Sequence, residues 1–193
     1  NKLISQPIKG TIKKSNNFYQ NLKLINKLEK SEKDISENVM IADLVRNDLS
    51  ITAKRNSVKV EELCKVYTFN NINQMISTVT SEICQNLSFD KIISSTFPMG
   101  SMTGAPKIKS MQLIDKFEDF NRGIYSGTIG YIDSKNNFDF NVVIRTIIYD
   151  QKDYNLSFPV GSAITSESDP LREYDECIEK LKSVFVFWNG SSI

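Results

Sequence analysis

Two pairs of carboxylates recur in this sequence at the same spacing. Asp34 and Glu37 lie three residues apart, and Glu173 and Glu176 repeat that spacing towards the other end. Residues three apart share a face of a helix, and carboxylate oxygens bind a hard cation such as Mg²⁺ directly or through water. Either pair alone is typical of a solvated acidic face, whereas two such pairs facing each other could hold one cation.

A segment rich in small residues and a single arginine are candidates for binding an anion. Residues 97–107 read FPMGSMTGAPK, in which small residues and two hydroxyls precede a predicted helix. Free amides at a helix N-terminus suit a carboxylate, although an ordinary junction between loop and helix would need no ligand. Arg145 lies in a predicted apolar strand, where its guanidinium needs either a substrate carboxylate or a structural ion pair.

Lys9 is the candidate nucleophile of the chain. It lies in the sequence Pro7-Ile8-Lys9-Gly10-Thr11, between a proline and a glycine. A solvated surface charge is the ordinary role of a lysine, and an amine that attacks a substrate is the alternative. The residue types around Lys9 leave both roles open.

The composition excludes several classes of function. The chain has 193 residues and no histidine, which excludes histidine-based triads and zinc or haem sites held by histidine. Its net charge of +1 excludes a strongly basic binder of nucleic acid. No apolar run approaches the length of a membrane span, so no membrane partner is expected. Cys64, Cys84 and Cys177 are widely spaced, which predicts free thiols in a reducing cytoplasm.

The elements that must position these side chains alternate between helices and strands. Helices are predicted at 18–30, 32–49, 89–95, 104–120 and 170–187. Two or three strands are predicted within 57–86, and a hairpin is predicted from 124–133 and 138–149 with its turn at 134–137. Helices that alternate with antiparallel strands predict an α+β domain.

Six sequence blocks occur in one order along the chain. They are PIKGT (7–11), ENVMIADLVRNDLS (37–50), FPMGSMTGAPKIKSMQLI (97–114), RGIYSGTIGY (122–131), FDFNVVIRT (138–146) and VGSAITSESDPLREYDE (160–176). Through these blocks the chain resembles the chorismate-utilising enzymes, and among them component I of the aminodeoxychorismate synthases. The resemblance implies a four-layer α/β/β/α chorismate-binding fold, of the anthranilate synthase component I type, with the active site between two sheets. Residues 1–193 would be the C-terminal portion of one catalytic domain, with an upstream region missing.

The same resemblance implies roles for individual residues. Glu37 and Glu176 would bind Mg²⁺ directly, and Asp34 and Glu173 would act through water. Lys9 and Thr11 would be catalytic. The residues placed at the substrate would be Gly10, Thr11, Tyr125, Arg145, Gly161, Ser162 and Ala163, with Tyr125 and Arg145 on the enolpyruvyl carboxylate and Gly10 and Thr11 in a loop that lines the ring.

Lys9 separates one subfamily from its relatives. Anthranilate synthases resemble this chain but carry alanine at this place. The implied reaction is attack of Lys9 on chorismate, loss of the 4-hydroxyl and formation of a covalent adduct. Ammonia from a glutamine amidotransferase would then displace the lysine and give 4-amino-4-deoxychorismate, a precursor in the folate pathway.

Two departures from the family pattern leave other functions open. Many relatives carry a histidine near the place of Ser88, and in anthranilate enzymes that histidine belongs to the active site. A glutamate thought to be an acid–base catalyst would lie before Asn1. The alternatives are therefore anthranilate synthase component I and a truncated, inactive chorismate-binding fragment. The apolar tail at 185–190 is predicted to pack against the missing part or to be an irregular terminus.

Overall fold

The computed structural model describes residues 2–166 and 168–188, and the chain forms two compact units at 1–119 and 120–193. The first unit contains β1 (Lys2–Ser5), β2 (Ile8–Lys13), α1 (Phe18–Glu29), α2 (Glu32–Ser50), β3 (Lys59–Thr68), β4 (Ile72–Glu82), α3 (Phe89–Thr96), one 3₁₀ turn (Gly100–Met102) and α4 (Lys107–Phe117). The second unit contains β5 (Thr128–Ile132), β6 (Phe138–Val142), β7 (Ile148–Asp150), β8 (Asn155–Ser157) and α5 (Pro170–Trp188). The described helices include none that is both long enough and apolar enough to cross a membrane.

Strand β4 is the centre of the sheet in the first unit. It pairs antiparallel with β1 at residues 79–82 and with β2 at 72–76, so these two strands share one of its edges end to end. Strand β3 pairs with the opposite edge over residues 73–80. Every residue of β4 from Met75 to Ser81 is buried, which is typical of a strand covered on both faces.

Helix α2 supplies much of the apolar core of the first unit. Ile41, Ala42, Val45 and Leu49 are all buried and recur at the spacing of one helix face. Burial of a leucine or isoleucine side chain contributes about 1.5–3 kcal/mol. The Ser31 side chain caps this helix by accepting a hydrogen bond from the Asp34 amide at 3.4 Å.

The second unit contains two hairpins and helix α5. Strands β5 and β6 pair in register from Thr128 with Val142 to Ile132 with Phe138. The predicted turn at 134–137 connects them, because the Asp133 carboxylate accepts hydrogen bonds from two backbone amides of the turn at 2.8 Å. Strands β7 and β8 form a separate hairpin. The side chains of the apolar tail at 185–190, predicted to pack or to end irregularly, lie outside the described residues.

The structure confirms most predicted elements and corrects three. Helices α1, α2, α3 and α5 and two strands within 57–86 lie within a few residues of their predicted bounds, and the β5–β6 hairpin has its turn where it was predicted. The helix predicted at 104–120 begins only at Lys107. Pro106 precedes its first turn, and a proline disfavours the helical conformation of the residue before it. The strand predicted at 138–149 ends at Val142, and Arg145 adopts a left-handed φ of 50°. Gly10 and Thr11 lie in strand β2 and not in a loop.

Candidate functional site

Lys9 and Glu37 lie side by side in the first unit. Lys9 Nζ is 3.6 Å from Glu37 Oε2, and the two side chains are only 19% and 18% exposed. The contact arises because α2, which carries Glu37, packs on the sheet that contains β2. Lys33 approaches the other oxygen of Glu37 at 4.0 Å. The structure therefore places the predicted nucleophile beside a predicted metal ligand, in a site shielded from most solvent.

Gly10 allows a close approach between strand β2 and helix α2. The pairing of β2 with β4 shifts register between Ile8 and Thr11, so Lys9 and Gly10 occupy an irregular step of the strand. Gly10 has a φ of 85°. A Cβ atom at Gly10 would lie 3.0 Å from Asp34 Cβ and 3.1 Å from its Oδ1. Glycine is therefore required both by the backbone angle and by the side chain of Asp34.

A cleft opens next to this group of residues. It has a volume of about 540 Å³ and is lined by Thr11 and Asp34 together with Lys23, Lys27 and Lys30. Thr11 is exposed, and its hydroxyl accepts a hydrogen bond from Gln74 Nε2 at 3.4 Å. The three lysines give one wall of the cleft a positive charge, which would attract an anionic ligand.

Two buried polar residues of helix α2 were missed by sequence reasoning. Asn38 is fully buried and donates hydrogen bonds to the backbone carbonyls of Lys9 at 3.4 Å and Met75 at 3.1 Å. Asp48 is buried and accepts a bond from Lys107 Nζ at 2.6 Å. Burial raises the pKa of the Asp48 carboxyl, and the nearby Lys107 ammonium partly opposes that shift.

A sequence signal exists for Asp48 but is weak for Asn38. Asp48 follows the buried Ile41 and Val45 at the spacing of the apolar helix face, so a charged residue there requires a buried partner. The Asp48–Lys107 pair ties α2 to the first residue of α4, at the end of the predicted anion-binding segment. Within that segment Gly100 packs so closely on α2 that a Cβ would lie 2.6 Å from Leu44 Cδ2.

Helix α5 carries the second carboxylate pair, in the second unit. Glu173 is buried, and its carboxylate accepts hydrogen bonds from the Ser162 hydroxyl and, at 3.1 Å, from the Ser168 hydroxyl. Lys180 Nζ donates to Glu176 Oε1 at 2.6 Å and to the Gly161 carbonyl at 2.8 Å. The pair therefore holds the segment of Gly161 and Ser162 against the helix.

Tyr125 lies against the same segment. Its side chain is buried, and a Cβ atom at Gly161 would lie only 2.7 Å from the Tyr125 hydroxyl oxygen. The Arg122 guanidinium lies 5.9 Å from the centre of the Tyr125 ring. Arg145 is exposed in the bend after β6, and Ala163 is exposed, its carbonyl accepting a bond from the Ser168 hydroxyl at 3.4 Å.

Each unit thus offers two of the four predicted carboxylates. Within residues 2–166 and 168–188, no three Asp, Glu, Cys or His side chains are grouped closely enough to hold a metal ion. All four donors are carboxylates, which a hard cation prefers. In this structure Glu37 and Glu176 each form an ion pair with a lysine ammonium. Ser88 is the N-cap residue of α3.

Known proteins are similar to this chain over nearly its whole length. A family described as chorismate binding enzyme matches residues 1–186. A probable chloroplastic aminodeoxychorismate synthase of Oryza sativa subsp. japonica is 40% identical over 181 residues, which cover 94% of this chain and 20% of that protein. Anthranilate synthase component 1 of Aquifex aeolicus is 33% identical over 180 residues, which cover 93% of this chain and 36% of that protein. The chain spans between a fifth and about a third of these two relatives.

Solved structures show the same fold. The crystal structure of anthranilate synthase component I from Streptococcus pneumoniae matches with a TM-score of 0.81 and 30% sequence identity. The match covers 94% of this chain and 39% of that one. The α+β prediction and the predicted type of fold are therefore confirmed, for the part of the fold that this chain contains.

Proposed function

We propose that this chain, which belongs to the family of chorismate binding enzymes, is part of an enzyme that converts chorismate to 4-amino-4-deoxychorismate. The observation that carries the proposal is the place of Lys9, held in the irregular step of β2 with its amine 3.6 Å from Glu37. An amine held in one place on a strand is positioned for nucleophilic attack once it is neutral. The name of the Oryza sativa relative supports the same reaction.

The proposed reaction has two displacements on the chorismate ring. In the first, the Lys9 amine forms a bond to the ring, and the 4-hydroxyl leaves with a proton as water. In the second, ammonia forms a bond to carbon 4, and Lys9 leaves as a free amine. Thr11, two residues further along β2, is the proposed second catalytic residue.

Most of the proposed substrate-binding residues lie in the second unit, and Gly10 of β2 is proposed to line the ring. Tyr125 and Arg145 are proposed to hold the enolpyruvyl carboxylate, and the backbone of Gly161, Ser162 and Ala163 is proposed to face the substrate. The support is the contact of the Tyr125 hydroxyl with Gly161 and the bonds from Glu173 and Lys180 that fix this segment. Arg145 reaches solvent, so its guanidinium is accessible to a carboxylate.

Magnesium belongs to the proposal. Glu37 and Glu176 are the proposed direct ligands, and Asp34 and Glu173 the proposed partners through water. When bound there, the cation would supply positive charge to a substrate carboxylate and to the leaving hydroxyl. The role of Lys9, Lys33 and Lys180 towards these carboxylates is to balance their charge and hold their orientation.

A glutamine amidotransferase is the proposed source of ammonia, and free ammonium at high concentration should replace it. We also expect the protein to work in a reducing compartment such as the cytoplasm. The thiols of Cys64, Cys84 and Cys177 are free, which agrees with that expectation.

Anthranilate synthase component I is the second candidate function. It is favoured by the identity with the Aquifex aeolicus and Streptococcus pneumoniae proteins. The two candidates differ in the ring carbon that is aminated and in the need for a lysine at position 9. A chain that binds chorismate without converting it is the third possibility, because only part of each relative is matched.

Product identification separates these candidates. The intact protein is incubated with chorismate, Mg²⁺ and ammonium salt, and the products are identified by liquid chromatography and mass spectrometry. The proposal expects 4-amino-4-deoxychorismate from the wild type and none from Lys9→Ala. Anthranilate as the product would overturn the role of Lys9, and binding without any product would favour the inactive fragment.

A further inference from the structure

The side chain of Asn38 joins four elements of the first unit. It extends from α2, donates to carbonyls in β2 and β4, and accepts a hydrogen bond from the Ser77 hydroxyl of β4. The Cys64 thiol of β3 approaches its oxygen at 3.7 Å. An asparagine amide has two donors and one oxygen with two lone pairs. All of this capacity is used, and no part of the side chain reaches solvent.

The partners also determine the orientation of the Asn38 amide. Both groups near Nδ2 are backbone carbonyls, which only accept hydrogen bonds, and both groups near Oδ1 carry a hydrogen to donate. The reversed orientation would place the amide oxygen against two carbonyl oxygens, with no hydrogen between them. The fold therefore fixes the hydrogen bond from the Asn38 amide to the Lys9 carbonyl.

The hydrogen bond from Asn38 reaches Lys9 at the step of β2 where pairing with β4 constrains the backbone least. Lys9 and Gly10 lie between the paired positions Ile8 and Thr11, where the register of β2 on β4 shifts. One turn of α2 contacts this step at three points. Asp34 lies against Gly10, the Glu37 carboxylate lies near the Lys9 amine, and Asn38 binds the Lys9 carbonyl.

We infer that Asn38 is a positioning residue for Lys9, which fixes the backbone of the β2 step so that the Lys9 amine stays in its shielded place beside Glu37. The inference rests on the proposed function only where it concerns turnover, since the position of the amine can be measured without substrate. Without the bond from Asn38, the irregular step relaxes and the Lys9 amine becomes more exposed.

The test measures how fast the Lys9 amine is acetylated by acetic anhydride in the intact protein. Lys182, which is 63% exposed and lies in the second unit, is the internal reference, whereas Lys9 is 19% exposed. Peptide mass spectrometry gives the ratio of the two rates. The variant is Asn38→Ala, and Asn38→Ser, which keeps one hydroxyl donor, replaces it if the alanine variant does not fold.

Asn73 provides a matched control. It is also a fully buried asparagine of the first unit, but its side chain bonds Asn21 and Thr68 and not Lys9. We expect Asn38→Ala to raise the Lys9 to Lys182 ratio about twofold or more, and Asn73→Ala to leave it unchanged despite a similar loss of stability. An unchanged ratio in the Asn38 variants, or an equal rise in Asn73→Ala, would overturn the inference.

Turnover provides a second and separate readout. If the proposed function is correct, Asn38→Ala lowers kcat by about 10- to 100-fold with little change in the KM for chorismate, because the nucleophile and not the substrate is displaced. A wild-type protein that makes no 4-amino-4-deoxychorismate, together with the expected labelling ratios, would refute the proposed function and leave the role of Asn38 intact. A KM that rises with kcat unchanged would contradict positioning.

Discussion

Replacing Gly10 by alanine tests the contact between β2 and α2 on which the candidate site depends. A residue other than glycine at a left-handed φ costs about 1–2 kcal/mol. The new Cβ would also lie 3.0 Å from Asp34 Cβ, inside the 3.4 Å at which ordinary contacts begin. Cβ is the fixed first atom of the Asp34 side chain, so relief requires movement of α2 or β2, at about 1–3 kcal/mol. We therefore expect Gly10→Ala to lower the free energy of unfolding by about 2–5 kcal/mol.

Gly123 separates the two contributions. Its φ of 58° is also left-handed, but nothing lies within 4 Å of the place of its Cβ. Gly123→Ala should therefore cost only about 1–2 kcal/mol. Hydrogen exchange on peptides from β4 and from β5 at increasing urea reports the stability of each unit by itself.

A second consequence concerns Asp34 alone. Displacement of its carboxylate should raise the Mg²⁺ concentration needed for half-maximal activity in Gly10→Ala and not in Gly123→Ala. If both variants lose the same stability and keep the wild-type response to Mg²⁺, the contact between Gly10 and Asp34 does not position the Asp34 carboxylate for Mg²⁺.

Three further expectations follow from contacts described above. Lys107→Met should cost about 3–5 kcal/mol, because it leaves the buried Asp48 carboxylate uncompensated, and Asp48→Asn should cost less, because Lys107 is partly exposed. The double variant should recover most of the loss of Lys107→Met; additive losses in a double-mutant cycle would contradict this. Hydrogen bonds from Asn137 lower the pKa of Asp133 below its usual 3.8. These bonds therefore contribute fully to the stability of the β5–β6 turn above pH 3.8, and the contribution is lost as the pH falls through the lowered pKa. Amide shifts of the hairpin between pH 6 and 2 should show this step in the wild type and not in Asp133→Asn. Replacing the three lysines of the cleft by glutamine should lower kcat/KM for a dianionic substrate at low salt and leave it unchanged at high salt, whereas a salt-independent loss would refute electrostatic attraction.

Local rules explain why the helices could be predicted. The Ser31 cap and the apolar spacing from Ile41 to Leu49 act within a few residues, so the sequence of α2 alone contains the information for its start and its buried face. The proximity of Lys9 and Glu37 could be expected only through the resemblance to a family. Their residue types do not reveal that β2 lies under α2.

The bend at Arg145 could not be predicted from the pattern of the strand. The apolar alternation continues to Tyr149, but Ser126 donates to the Val143 carbonyl and Ile144 to that of Val142, so the chain turns there. Valine and isoleucine favour strand, so their pattern gives no signal of the bend. Asn38 was missed for a related reason, because its partners lie 26 to 39 residues away along the chain.

The central place of β4 has a consequence for the order in which the protein is made. Strand β2, which carries Lys9, pairs with residues 72–76 of β4, so among the described strands it has no partner until the ribosome has released residue 76. At about 5–20 residues per second, translation from residue 13 to residue 76 lasts roughly 3–13 seconds. Through this interval the hydrogen-bonding edges of β2 are open to chaperones or to other nascent chains. Synonymous codons that slow translation between α2 and β4 should therefore lower the yield of folded protein.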